Sequence, residues 1–219
     1  MRGRGKGASF EREIAKKLSE WWSKRGDDDL FWRTQASGAR ATTRRKKGKK
    51  TRGQHLDICC TDGRGKKLLK FAVISTKRGY QNLSIQDIID RVEDRKSPEI
   101  ENWFTECYDA KKEAGSVSWM LILKKNRRET LLFIPLETIL FKFNYVIRNY
   151  LIDSVPNGFI SIRRRKTRRK IKKMGQDQYI TWFLRQNKTI FCMNFQKFLD
   201  IVERDHIEEI VRKYYSEDF

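Results

Sequence analysis

The sequence predicts an α/β core, a mixed β-sheet flanked by helices, followed by a C-terminal α+β extension. Three observations carry this. An amphipathic helix opens the chain, apolar runs of strand length then alternate with helical spacing as far as residue 135, and the pattern changes after Pro135.

Taken in order, apolar residues at Phe10, Ile14, Leu18, Trp21 and Trp22 give the first helix, with Ser9 as the expected N-cap. Gly26 and three aspartates break it, and "DLFWRTQ" is short, aromatic and strand-like. Residues 36–54 carry Gly, Thr and basic side chains with almost nothing apolar, so a long exposed loop is expected. The apolar runs "QHLDICC" and "KFAVISTK", separated around Asp62, Gly63, Arg64 and Gly65, read as a hairpin. Ile85, Ile88, Ile89 and Val92 have helical spacing, Pro98 breaks it, and a second helix runs to Gly115. "SVSWMLILKK" and "ETLLFIP" are two further strands joined by the polar turn "NRR". Beyond Pro135, "LETILFKFNYVIRNYLI" is helical, "GFISIRRR" is a strand running into a basic segment, and the last forty residues read as one or two strands followed by helix. The expected division is a core domain over 1–135 and an extension over 136–219.

Composition narrows the function classes. The chain has 219 residues, 35% of them charged, and a net charge of +21. With a mean hydropathy of −0.75, and without the roughly 18 apolar residues in a row that span a bilayer, it reads as soluble. The opening "MRGRGKGASFERE" lacks the apolar stretch of a secretory signal, so the interior of a cell is expected, cytoplasmic or nucleoid-associated, or that of the host if viral. Cys59, Cys60, Cys107 and Cys192 have no CxxC spacing and read as reduced thiols.

The charge is concentrated. Residues 40–53 hold eight Lys or Arg and no acid, among them Arg40, Arg44, Arg45, Lys46 and Lys47; residues 163–173 hold nine and no acid, beginning with Arg163, Arg164 and Arg165. Segments this dense repel themselves unless a polyanion neutralises them, and a nucleic-acid backbone does so with counterion release. Neither run has the aromatic face of a membrane-surface helix. Among the aromatics near these runs, Tyr80 is expected at the mouth of a site, whereas Trp32, Phe159 and Trp182 are expected to pack inside.

Four polar residues stand out against this frame: Glu11 on the first helix, Asp57 in "HLD", and Ser75 and Lys77 at the end of "FAVISTK". The strand period of two puts Ser75 and Lys77 on one face. A carboxylate beside a lysine on a neighbouring strand suits phosphodiester hydrolysis, in which acids hold Mg²⁺ through oxygen and the lysine orients the attacking water.

At these residues the sequence resembles the PD-(D/E)xK nuclease superfamily, specifically the archaeal-type Holliday junction resolvases and their phage relatives. The resemblance covers about residues 5–135 and rests on "GKGASFERE" with Glu11, Arg12 and Glu13, on Arg33 in "FWR", on Ser37 in "QASGAR", on Asp57, and on Lys77 in "STKRG". It implies a restriction-endonuclease-like fold, metal binding by Asp57 and Glu11 with Mg²⁺ or alternatively Mn²⁺, and contacts to DNA from Arg12, Arg33, Ser37, Arg78, Tyr80 and the basic segments. It also implies a homodimer. One position departs from the family: Ser75 stands where it has glutamate. Some restriction endonucleases with Ser or Thr there recruit an acid from the following helix, and "SIQDIIDRVED" offers Asp87 and Asp90. The function expected is a metal-dependent endonuclease acting on branched or structured DNA. The alternatives are a nuclease-like DNA-binding protein impaired in cleavage and a basic RNA-binding protein.

Overall fold

A computed structural model describes residues 4–24, 26–34, 55–80, 99–138, 160–162, 180–183 and 189–216. Among these the order is α1 (Arg4–Ser23), β1 (Phe31–Arg33), β2 (Ile58–Cys60), a 3-10 turn (Gly63–Gly65), α2 (Lys66–Phe71), β3 (Ala72–Gly79), α3 (Glu99–Ala114), β4 (Ser118–Lys125), β5 (Thr130–Pro135), β6 (Ile160–Ile162), β7 (Ile180–Phe183), β8 (Thr189–Asn194), α4 (Phe195–Ile201) and α5 (Arg204–Ser216). Six strands form one mixed sheet in the order β3-β4-β5-β8-β7-β6; β1 and β2 form a separate antiparallel pair. The expected mixed sheet flanked by helices is present. The helix expected over 85–94, like that beyond residue 138, lies outside the described residues.

The two faces of the sheet follow the sequence alternation. On one face Ile74, Met120, Ile122, Leu132, Ile134, Phe191 and Met193 pack against α1 through Phe10, Ile14, Leu18 and Trp22. On the other, Val73, Trp119, Leu121, Leu123 and Phe133 pack against Ile100, Trp103, Phe104 and Cys107 of α3. Because β3 and β4 are parallel, a crossover must return the chain to the same end of the sheet, and α3 supplies it. Gly115 ends α3 with a φ of 66°, in the left-handed region that glycine enters without steric cost.

Three local expectations are corrected. Ser9 does not cap α1: the helix is already under way at Arg4, anchored by the fully buried Phe10, and Ser9 lies on its exposed side. The segment from Asp57 to Lys77 is not a hairpin. Leu68 and Phe71, three residues apart, bury one side of α2, and this helical turn carries the chain over so that Leu56 bridges Ile74 in parallel. Trp32 is not in the core. β1 turns Phe31 inward and leaves Trp32 45% exposed.

The region after residue 135 shares this core. β8 pairs with β5 from Leu131↔Asn194 to Pro135↔Ile190, and Phe195, Phe198, Ile207 and Val211 join the cluster built on α1. Trp21 packs on Phe198 with ring centroids 6.2 Å apart and donates its indole N–H to the Val202 carbonyl at 3.1 Å. Phe198→Ala removes a ring with no exposed surface, so the full chain is expected to lose about 3–5 kcal/mol of stability. Urea denaturation followed by both tryptophan fluorescence and circular dichroism should then show one coincident transition at a lower midpoint; two separated transitions would show that the segment after 135 folds by itself.

Candidate active site

The site begins where β2 changes partner. Thr34 N–H donates to the Asp57 carbonyl at 2.8 Å, closing the β1–β2 ladder, but Asp57 N–H turns away and donates to the Ile74 carbonyl of β3 at 3.0 Å. The turn is made at Leu56, whose φ of 61° is rare for a branched, bulky side chain. Its strain, of about 1–3 kcal/mol, is sustained only where the surroundings hold it. They do so through the next residue: Asp57 Oδ2 accepts from Ser75 Oγ at 3.0 Å and from Thr76 N–H at 2.7 Å. The Asp57 carboxylate thereby occupies the β3 edge in place of a neighbouring strand.

Lys77 lies on the α3 side of β3. Its ammonium is 3.5 Å from Glu106 Oε2 and 5.5 Å from the centre of the Trp103 ring, both on α3. Burial disfavours the charged lysine, but the Asp57 and Glu106 carboxylates together outweigh it and hold its pKa above the ordinary value. Lys77 is therefore a cation at neutral pH, suited to orienting a nucleophile or neutralising a phosphate oxygen rather than to accepting a proton. Ser75 beside it is 1% exposed, and the buried thiol of Cys107 on α3 is pushed well above its ordinary pKa by desolvation.

Glu11 enters from α1. Its Oε2 lies 3.5 Å from Arg33 Nε. Burial, and next the negative charge of Asp57, raise its pKa, while Arg33, Arg12 and Lys77 act in the opposite sense and do not fully compensate. The Asp57 charge is thus felt at Glu11, and two carboxylates in one field are a donor set that a divalent cation relieves. The buried hydroxyls of Thr34 and Thr76, which flank Asp57 in the chain pairing, have no hydrogen-bond partner. Among the described residues no three His, Cys, Asp or Glu side chains converge. The fit is therefore to a hard cation that takes two carboxylates and completes its shell with water, which Mg²⁺ tolerates.

Of the residues singled out in the sequence, Glu11, Arg12, Arg33, Asp57, Ser75 and Lys77 come together here. Arg78 points to the opposite face of β3 from Lys77, toward Phe10 and Glu13 of α1. Tyr80 sits at the end of β3, 38% exposed, with its ring edge-on to Trp103 at 4.4 Å. Ser37, Arg40, Arg44, Arg45, Lys46, Lys47, Asp87, Asp90, Arg163, Arg164 and Arg165 lie outside the described residues. Sequence reading missed Glu106, Trp103 and Cys107, which look like ordinary residues of an amphipathic helix; only the crossover brings them to Lys77.

A sheet with α1 on one face and α3 on the other, with a lysine on its edge strand β3 and an aspartate hydrogen-bonded to that edge, is the restriction-endonuclease-like fold. The family model described as "Phage putative PDDEXK endonuclease" matches residues 2–208, and the chain belongs to that family of the PD-(D/E)xK superfamily. No curated protein and no solved structure matches the chain. Among the described residues, no helix is long and apolar enough to cross a membrane.

The raised pKa of Glu11 has a thermodynamic consequence. Just above the ordinary glutamate range the folded chain keeps a proton that the unfolded chain has lost, so stability falls as pH rises from the unfolded value through the folded one. In metal-free buffer Glu11→Gln is expected to melt at a higher temperature than wild type at neutral pH, with the gap closing below about pH 4.3. Added Mg²⁺ should raise the wild-type melting temperature by several degrees and leave that of Glu11→Gln nearly unchanged; calorimetry across pH, with and without the ion, reads both effects.

Proposed function

We propose that the protein is a metal-dependent endonuclease that cuts branched or structured DNA, of the Holliday-junction-resolvase type, acting as a homodimer with Mg²⁺ or Mn²⁺. The observation that carries this reading is the Asp57 carboxylate pinned to the β3 edge by Ser75 and Thr76, with Lys77 on the same strand and Glu11 within its field. Asp57 and Glu11 would hold the ion, whose contribution is to polarise the phosphate and make its bound water more acidic. Lys77, kept charged by Asp57 and Glu106, orients the attacking oxygen and offsets charge on the phosphate. Arg33, held by Glu11, and Arg12 offer guanidinium donors to phosphate oxygens next to the cut.

The basic segment 36–54 supports a DNA substrate by its place in the chain. Thr34, just before it, is hydrogen-bonded to Asp57, and His55, just after it, is two residues from that aspartate, so its charge is rooted beside the site. Ser37 and the lysines and arginines within it belong to the reading by resemblance. Dimerisation likewise follows from the need to cut two opposed strands.

One observation favours a second reading. The Ser75 hydroxyl is committed to Asp57, and no third carboxylate meets Asp57 and Glu11 among the described residues. Weak metal binding with DNA binding retained would make the protein a nuclease-like DNA-binding protein.

A fluorescently labelled four-way junction with Mg²⁺ separates the two. The wild-type chain is expected to cut it, and Asp57→Ala to be slower by at least about 100-fold, a loss of about 2.7 kcal/mol in transition-state stabilisation. A wild type that binds the junction without cutting it, but gains cutting in Ser75→Glu, would replace the first reading by the second.

A further inference from the structure

Next to the site, on the other face of β3, lies a cluster that the catalytic reading does not use. Glu13 Oε1 accepts from Lys124 Nζ at 3.1 Å and lies 3.7 Å from Lys17 Nζ, while Glu13 Oε2 is 3.9 Å from Arg78 Nη1. Arg78 and Lys124 are opposed residues on β3 and β4. Their cationic groups stand 5.8 and 5.9 Å from the centre of the Phe10 ring, which fixes both against the core. Among the described residues, the ion pairs of Lys17, Arg78 and Lys124 all end on Glu13.

One carboxylate for three cations leaves an excess of two positive charges in a small, partly shielded space. Like charges gathered round one carboxylate repel one another, the more so where solvent is partly excluded. A second anion offsets that repulsion. The arginine fork with two mobile ammonium groups matches the tetrahedral, several-oxygen display of a phosphate better than the single plane of a carboxylate.

We propose that Lys17, Arg78 and Lys124, gathered by Glu13, bind a backbone phosphate of the DNA substrate that flanks the one at Lys77. Lys77 projects toward α3 and Arg78 toward α1, so the two phosphates straddle the end of β3. Glu13 acts here as an internal counterion that keeps the three cations together until DNA displaces it. The proposal rests on the nucleic-acid reading for its ligand and is independent of whether the protein cuts.

The test is fluorescence anisotropy of labelled duplex and junction DNA with the full chain in EDTA, across a series of salt concentrations. Lys124→Met is expected to weaken binding to both DNAs by a similar factor, up to about tenfold, and to reduce the slope of log K against log salt by about 0.9. Lys124→Arg keeps the slope. Glu13→Gln should bind more tightly than wild type, since a competing anion has gone; a purely structural ion network would instead lower the melting temperature with no gain in affinity. If wild type binds DNA but the slope survives Lys124→Met, or Glu13→Gln does not tighten binding, this phosphate site is overturned and the nuclease reading stands. If wild type shows no salt-dependent DNA binding, both fall.

Discussion

The site depends on two hydrogen bonds to a single carboxylate oxygen. By accepting from Ser75 and from the Thr76 N–H, Asp57 ties the small β1–β2 pair to the edge of the six-stranded sheet. Hydrogen bonds to a charged group are worth about 1.5–3 kcal/mol each, more than enough to offset the left-handed backbone at Leu56. Without them, β3 beyond Ile74 would be a bare edge, and Arg33 would lose its fixed approach to Glu11. The same contact thus settles fold, strand register and the convergence of charges.

That arrangement explains how a serine is accommodated at position 75. A carboxylate there would face Asp57 across the oxygen that now receives the Ser75 proton, and two buried anions would need a cation to hold them. The hydroxyl reverses the interaction: it donates, so Asp57 is held firmly before any ion arrives. Orientation is gained and ligand charge is given up. Glu106, on Lys77 at 3.5 Å, supplies a second carboxylate to that lysine from the other side.

Much of this was legible in the sequence, and the failures have physical causes. Period-two alternation put Ser75 and Lys77 on one face of β3, and Lys77 does share the α3 side with Val73, because a sheet covered by helices on both sides leaves no freedom of register. The order of Glu11, Arg33, Asp57 and Lys77 along the chain carried the convergence. "KKLLKF" misled because so short a stretch, half apolar and half lysine, fits strand or helix equally well, and the i, i+3 pair Leu68 and Phe71 was the available signal. Trp32 misled because large aromatics are usually buried, while β1 has a partner strand on one edge and covers only one face. Glu106 was illegible: its role exists only after a parallel crossover lays α3 over β3.

The sheet order also gives the two basic segments a geometric relation that the sequence could not. Thr34 and His55, the described residues on either side of 35–54, lie beside the β3 edge, whereas β6 and β7, on either side of 163–179, form the far edge. Five strand spacings of about 4.8 Å separate β3 from β6, so the two edges stand about 24 Å apart. The core that joins β5 to β8 is therefore more than a source of stability: it holds both edges rigidly in one sheet and fixes the distance between them.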